Sequence, residues 1–210
     1  MQARSLKARI LTAMMAAAIL VVGPVTAANA DTGAPAPTSE SDTVYTPMVV
    51  AGYDAKVAEA NGFKIVTHAD GSQESVPVTA AAAAQHERAN QLRAADQKSA
   101  GTSAALTVCG DSWLSGAKVD NNVVVFQTGF IVYLSAYEHD WTVHATGAIT
   151  GNSWSTSGPG PASGNKSWEG AIGNVIGPGI ANVPWGSWSA SVILVDGTVC
   201  WSDGPNFAFG

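Results

Sequence analysis

Residues 187–201 read SWSASVILVDGTVCW, and this stretch decides the predicted fold. Two runs rich in β-branched and aromatic residues flank Asp196-Gly197, a pair typical of a two-residue type I′ turn. Such a turn pairs residue 195 with 198 and residue 192 with 201, and directly opposed residues share a face of the hairpin. Because side chains alternate between faces along a strand, the pattern predicts one apolar, core-facing set and one polar set. The core-facing set is Trp188, Ala190, Val192, Leu194, Val199 and Trp201; the polar set is Ser187, Ser189, Ser191, Ile193, Val195, Thr198 and Cys200.

Cys200 and Cys109 are the two cysteines of the chain, and six of its seven tryptophans lie between them. One cysteine pair in an exported protein predicts a disulfide rather than a zinc site, which would also need a suitable pair of histidines. The disulfide would close a loop of 92 residues, counted from 109 to 200 inclusive. The chain-entropy model assigns such a loop about 4–5 kcal/mol. The predicted register places Cys200 on the serine-rich face, so we expect the disulfide on the outside of the hairpin.

Residues 105–210 have the pattern of one all-β module. β-Branched and aromatic runs alternate there with clusters of Gly, Asn, Asp and Ser, a spacing typical of a sandwich. We therefore predict an antiparallel β-sandwich, immunoglobulin-like in architecture and stapled by the disulfide. Alternation within one run places Trp141 and His139 on the apolar face and His144 in solvent. The predicted strands are Val123–Phe126, Phe130–Tyr137, Trp141–Ile149 and Trp188–Val195.

Residues 1–30 have the pattern of a cleaved export signal. Three basic residues precede an apolar run that ends at Val22, and Ala28-Asn29-Ala30 supplies small residues for signal peptidase. The apolar run is shorter than the roughly 20 residues of a membrane span. We therefore expect a secreted protein, cleaved after Ala30, with no membrane contact afterwards. Residues 31–47 are rich in Pro, Thr, Ser, Ala and acidic residues, which predicts a disordered tether.

Two further elements are predicted between the tether and the module. Residues 48–78 are predicted to form a small helix-plus-hairpin unit. In it, Asp54 caps a short helix over residues 55–61, Gly62 fits the C′ position after the helix, and a turn separates two alternating strands. Residues 79–104 contain an Ala-rich helix and a linker. Leu92 is the only large aliphatic residue of this helix, which predicts a solvated spacer rather than a core element.

The acidic balance of the chain limits its partners. All sixteen acidic residues follow residue 30 and three of the ten basic residues precede it, so removal of the signal would change the net charge from −6 to −9. Nucleic acids and anionic membranes attract basic surfaces. Neither is expected as a partner.

No complete catalytic motif stands in the sequence. His86-Glu87 lacks the second histidine of a zincin helix, because Asn90 occupies that position. Glu138-His139-Asp140 is a run of titratable residues, but neighbours in a strand point to opposite faces and form no acid–base relay without other partners. We therefore predict neither catalytic residues nor a metal or cofactor. A hydrolase centred on residues 138–140 stays as a third hypothesis.

Three tryptophans fall in Gly-, Ser- and Asn-rich stretches that are predicted as loops: Trp154, Trp168 and Trp185. An exposed indole can stack on the C–H surface of a sugar, while the amides of Asn152 and Asn165 can bond hydroxyl groups. These five residues are the predicted ligand-binding set. The alternative is that each indole fills one end of a small sandwich, because large aromatic residues dominate small cores.

Three short motifs carry a family resemblance: Gly129-Phe130-Ile131-Val132, Asp140-Trp141-Thr142-Val143 and Gly186-Ser187-Trp188-Ser189. They are similar to strands of the bacterial cellulose- and chitin-binding modules of secreted actinobacterial enzymes, although the Asn-Thr-Gly turns of that family are absent. The resemblance covers residues 107–201 and implies a sandwich like a carbohydrate-binding module. The unit at Gly52–Val78 resembles a segment of secreted actinobacterial proteins of uncharacterised function.

Two functional hypotheses rank ahead of the hydrolase. The first is non-catalytic binding of extracellular or cell-wall polysaccharide through the loop aromatics. The alternative is a secreted protein-interaction role, as an inhibitor, a toxin or a structural surface protein. In that case residues 31–104 would act as a pro-segment or spacer, and processing would leave a fragment that starts near residue 100.

Overall fold

In the described part of the chain, ten antiparallel strands form one continuous sheet, and two further strands form a separate hairpin. The structure is a computed structural model that describes residues 42–100, 108–120 and 122–210, so the predicted signal and most of the predicted tether lie outside the described residues. The elements are β1 Val44–Tyr53, α1 Ala55–Ala60, β2 Phe63–Thr67, β3 Gln73–Pro77, α2 Ala80–Ala100, β4 Val108–Asp120, β5 Val123–Val132, β6 Ala136–Gly147, β7 Gly151–Pro159, β8 Asn165–Gly173, β9 Gly179–Asn182, β10 Ala190–Leu194, β11 Thr198–Ser202 and β12 Asn206–Phe209.

The large sheet is curved, so that strands distant in its order contact each other. Its order is β12-β9-β6-β10-β11-β1-β4-β5-β8, and β7 pairs with the free edge of β6. β6 is long enough to pair with β10 through its first half and with β9 through its second half. β7 contacts β8, and β12 contacts β4, so the two halves of the sheet enclose the core between them. The predicted all-β, antiparallel, sandwich-like fold with one disulfide is confirmed.

β1 corrects the predicted division of the chain. It lies in the middle of the sheet, paired with β11 on one side and β4 on the other, and its Met48 is fully buried. The tether predicted for residues 31–47 is therefore wrong at residues 44–47, which form the first part of β1. Pro47 lowers the β-propensity of this stretch, and the strands that pair with it lie far away in the sequence. Residues 48–78 and 105–210 are accordingly parts of one compact unit.

The register of the β10–β11 hairpin differs by one residue from the predicted one. Val192 lies opposite Cys200, so β10 and β11 are joined by three loop residues, 195–197, and not by two. Gly197 has a φ of 82°, as the left-handed position of a three-residue hairpin loop requires. Contacts from the helix-plus-hairpin unit hold this loop: the Asp54 amide donates to the Gly197 carbonyl at 2.7 Å, and the Ser75 hydroxyl donates to the Asp196 carbonyl at 2.6 Å.

A slip of one residue moves every side chain of a strand to the other face. Cys200 therefore points into the core, where it forms the disulfide with Cys109, and both residues are buried. The prediction that the disulfide lies outside the hairpin is wrong. Trp188 and Trp201 were predicted as core residues; Trp188 is exposed and Trp201 is only half-buried.

Trp141 occupies the centre of the core, as predicted. Its side chain is fully buried, and its indole N–H donates to the Thr128 hydroxyl at 3.1 Å. His139 is buried on the same face of β6, whereas His144 is exposed, in agreement with the predicted alternation.

The helix-plus-hairpin unit forms as predicted, but α2 is not a solvated spacer. Asp54 caps α1, and Gly62 follows the helix with a φ of 81°. Along α2, Ala82 and Ala89 are buried, and Ala89 packs into the main core. Alanine lets the helix backbone approach the sheet closely, so α2 docks without large aliphatic side chains.

Gly197→Ala tests the contact between α1 and the hairpin loop. A Cβ at residue 197 would lie 2.8 Å from the Cβ of Ala58, in addition to the strain of a positive φ. Gly71 is the matched control, because its φ is 87° and a Cβ there would meet nothing within 4 Å. We expect Gly71→Ala to lower the free energy of unfolding by about 1 kcal/mol and Gly197→Ala by about 3 kcal/mol, measured by urea denaturation. Equal effects would contradict the docking of α1 on this loop.

Candidate functional site

Two of the predicted ligand-binding tryptophans lie on strands, not on loops. Trp154 belongs to β7 and Trp168 to β8, and their ring centroids are 6.1 Å apart. Trp154 packs edge-on against Phe126 at 5.4 Å, and Trp168 packs against Phe130 at 5.8 Å. Both indoles are partly buried against the core. Both indoles fill the gap between β7 and β8. This packing role is the alternative to ligand binding that the sequence left open.

Asn152 and Asn165 lie along the same gap. The Asn152 amide donates to the Gly173 carbonyl of β8 at 3.4 Å, so it helps to tie β7 to β8. Asn165 is exposed at the start of β8. Asn152 lies beside Gly173 at the end of β8, so the length of β8 separates it from Asn165. The structure thus brings Trp154 and Trp168 together but places Trp185 elsewhere.

The run Glu138-His139-Asp140 is divided between two faces of β6. His139 points into the core and stacks on Trp168, with ring centroids 5.1 Å apart, whereas Glu138 and Asp140 are exposed. The His139 Nδ1 atom is buried and makes no hydrogen bond with the described residues. Burial, with a smaller contribution from Lys166, lowers the pKa of the His139 imidazole. An imidazole inside the core cannot exchange protons with carboxylates outside it, so these three residues form no acid–base relay.

His139 makes stability depend on pH. Because its pKa is lower in the folded chain than the unfolded value of about 6.5, the unfolded chain binds the extra proton first as the pH falls. We expect the free energy of unfolding to decrease below about pH 6.5, by at most about 1.4 kcal/mol per pH unit. His139→Phe should remove this slope between pH 7 and pH 5 in urea denaturation, whereas His144→Gln at an exposed position should keep it. An unchanged slope in His139→Phe would contradict a neutral, buried imidazole.

Trp185, Trp188 and Trp201 together form the exposed aromatic surface. The side chain of Trp185 is 73% exposed and that of Trp188 is 59% exposed. Trp188 stands edge-on to Trp201, with ring centroids 5.8 Å apart. Trp201 is the β11 residue whose face differs from the predicted one, so the observed register is what places it beside Trp188.

Short hydrogen bonds hold the segment that carries the two exposed indoles. The Trp185 indole N–H donates to the Asp203 carboxylate, and residues 185 and 203 form a β-bridge. The Ser191 hydroxyl donates to the Trp188 carbonyl at 2.7 Å. Gly186 turns the chain between the indoles with a φ of 57°. The rings are therefore fixed in place before any ligand arrives, which lowers the entropy that binding would cost.

A groove of about 330 Å³ runs beside Trp188. One wall is the Trp188 ring, and the other carries the carboxylates of Glu138 and Asp140 on the outer face of β6. Asp140 lies in one row with Ser157 of β7 and Ser191 of β10, which add hydroxyl groups. The groove thus joins an apolar ring to carboxylates and hydroxyls, and it has room for one or two small polar groups.

Comparison with known proteins does not assign the chain to a family. No family model matches the chain, and neither a curated protein nor a solved structure matches it. Among the described residues, no three His, Cys, Asp or Glu side chains come together as a potential metal site. Neither helix of the described part of the chain is long and apolar enough to cross a membrane.

Proposed function

We propose that this protein is an exported, non-catalytic binding protein that holds extracellular or cell-wall polysaccharide on the exposed aromatic surface. The exposure of Trp185 and Trp188 carries the proposal. Large exposed aromatic patches on a soluble protein commonly mark a binding site. Here the two rings cover no core, in contrast to Trp154 and Trp168.

The chemistry around the rings favours a sugar over an apolar ligand. A sugar presents C–H groups on its ring faces and hydroxyls around its edge, and hydroxyls bond well to carboxylates and serines. The aromatic surface supplies the platform, while Glu138, Asp140 and Ser157 supply acceptors and donors in the adjoining groove. The resemblance of residues 107–201 to cellulose- and chitin-binding modules agrees with this proposal, with different tryptophans as the platform.

Retention on insoluble polysaccharides tests the proposal. The chain from residue 31 should be retained on at least one of cellulose, chitin and peptidoglycan. Loss of one hot-spot aromatic costs more than about 1 kcal/mol, so Trp185→Ala/Trp188→Ala should weaken binding about 30-fold or more. Ile149→Ala is the control, because Ile149 is a similarly exposed apolar residue outside the aromatic surface. The proposal fails if the chain is retained on none of the three, or if the double variant binds as well as the parent.

A further inference from the structure

The charge around the aromatic surface is all of one sign. Glu138 and Asp140 line the groove, and the Asp203 carboxylate contacts the indole of Trp185. His139 also borders the groove but is buried towards the core, and no lysine or arginine that the structure describes lines it. In the sequence, Lys166 is the only lysine or arginine between residues 119 and 210. Its ammonium lies over the Trp168 ring, 5.9 Å from the centroid, and so belongs to the gap between β7 and β8.

We propose that the ligand is a polysaccharide with free amino groups, that is, one with deacetylated amino-sugar units that are protonated at mildly acidic pH. This inference rests on the proposed function and names the class of sugar that the same surface selects. Charge complementarity is its basis: carboxylates without neighbouring cations attract an ammonium group and repel anionic polymers. A neutral glucan would use the rings but would leave the charges of Glu138 and Asp140 without a partner of opposite sign.

The placement of the carboxylates fits repeated cationic units. Glu138 and Asp140 are two positions apart on one strand, about 7 Å along β6, and both are exposed. An ammonium group in the groove would lie between these carboxylates and the Trp188 ring, whose face also attracts cations. Asp203 offers a third carboxylate beside Trp185. A chain laid across the two indoles therefore meets a carboxylate at each ring.

Binding of soluble hexasaccharides tests the inference. The probes are glucosamine hexamer, N-acetylglucosamine hexamer and cellohexaose, titrated by calorimetry at pH 5.5, where the glucosamine amines are protonated. At 50 mM salt we expect the glucosamine hexamer to bind at least tenfold more tightly than the N-acetylated one. At 500 mM salt this preference should shrink to less than threefold, because salt screens the exposed charges.

Charge-neutral variants separate the groove from the overall acidity of the protein. Glu138→Gln/Asp140→Asn should lose about tenfold in affinity for the glucosamine hexamer but less than about threefold for the N-acetylated one, because the amides still bond hydroxyl groups but carry no charge. Glu59→Gln/Glu87→Gln removes the same charge from two exposed helix positions and should change neither. Equal affinities of the parent for all three probes would overturn the inference and leave the proposed function intact. Equal losses in both double variants, or binding of no probe, would also overturn it, whereas the proposed function fails only in the retention experiment on insoluble polysaccharides.

Discussion

A chain that begins at residue 105 is expected not to fold. It lacks β1, so β11 and β4 would each lose a paired neighbour in the middle of the sheet, and the fully buried Met48 side chain would leave the core. It also lacks α2, whose Ala89 packs into the same core. Loss of a central strand exceeds the total stability of a typical domain, about 5–15 kcal/mol. Circular dichroism in the near ultraviolet and size-exclusion chromatography should therefore show an unfolded or aggregated chain.

The matched control is a chain that begins at residue 42 and retains β1. It should unfold cooperatively in urea, with the midpoint of the parent. Cooperative unfolding of the 105–210 fragment with a midpoint near that of the parent would contradict the central position of β1. The expected result also argues against residues 31–104 as a removable pro-segment, because a processed fragment that starts near residue 100 would have lost a strand from the centre of its sheet.

Cys109→Ala/Cys200→Ala is expected to lower the free energy of unfolding by about 4–5 kcal/mol. The disulfide joins β4 to β11 across β1 and closes a long loop, whose entropy it removes from the unfolded chain. Both cysteines are buried, so alanine also removes packed sulfur atoms from the core. Urea denaturation of the variant and of the parent in a thiol reductant should give similar losses of stability. A loss below about 1 kcal/mol in both would contradict this role.

The sequence predicts well those structural elements whose ends are determined by residues nearby in the sequence. Asp54 and Gly62 mark the ends of α1 because capping and a positive φ are local requirements. β1 and the β10–β11 register depend on distant residues. The loop at Asp196 has three residues because Asp54 and Ser75, more than a hundred positions away, bond to it. A local turn signal carries no information about those bonds.

Only part of the candidate site was predicted from the sequence. Alternation along β6 predicted that Glu138 and Asp140 share the face opposite His139, and the structure agrees. Trp188 is exposed because it lies in a turn, with the Ala190 amide donating to the Ser187 carbonyl, whereas the sequence predicted that the strand extends back to Trp188. Ala190, Val192 and Leu194 face the core as predicted. Ser187 and Ser189 beside Trp188 were the available signal, because an indole between serines and next to a glycine suits a surface segment.

The indole N–H resonances offer the most direct test of the aromatic surface as the binding site. Seven tryptophans give seven such signals, which single substitutions can assign, and each can be followed by NMR during titration with glucosamine hexamer or N-acetylglucosamine hexamer. We predict that the signals of Trp185 and Trp188 shift with saturation while those of Trp154 and Trp168 stay in place. Shifts confined to Trp154 and Trp168 would contradict the account and assign binding to the gap between β7 and β8.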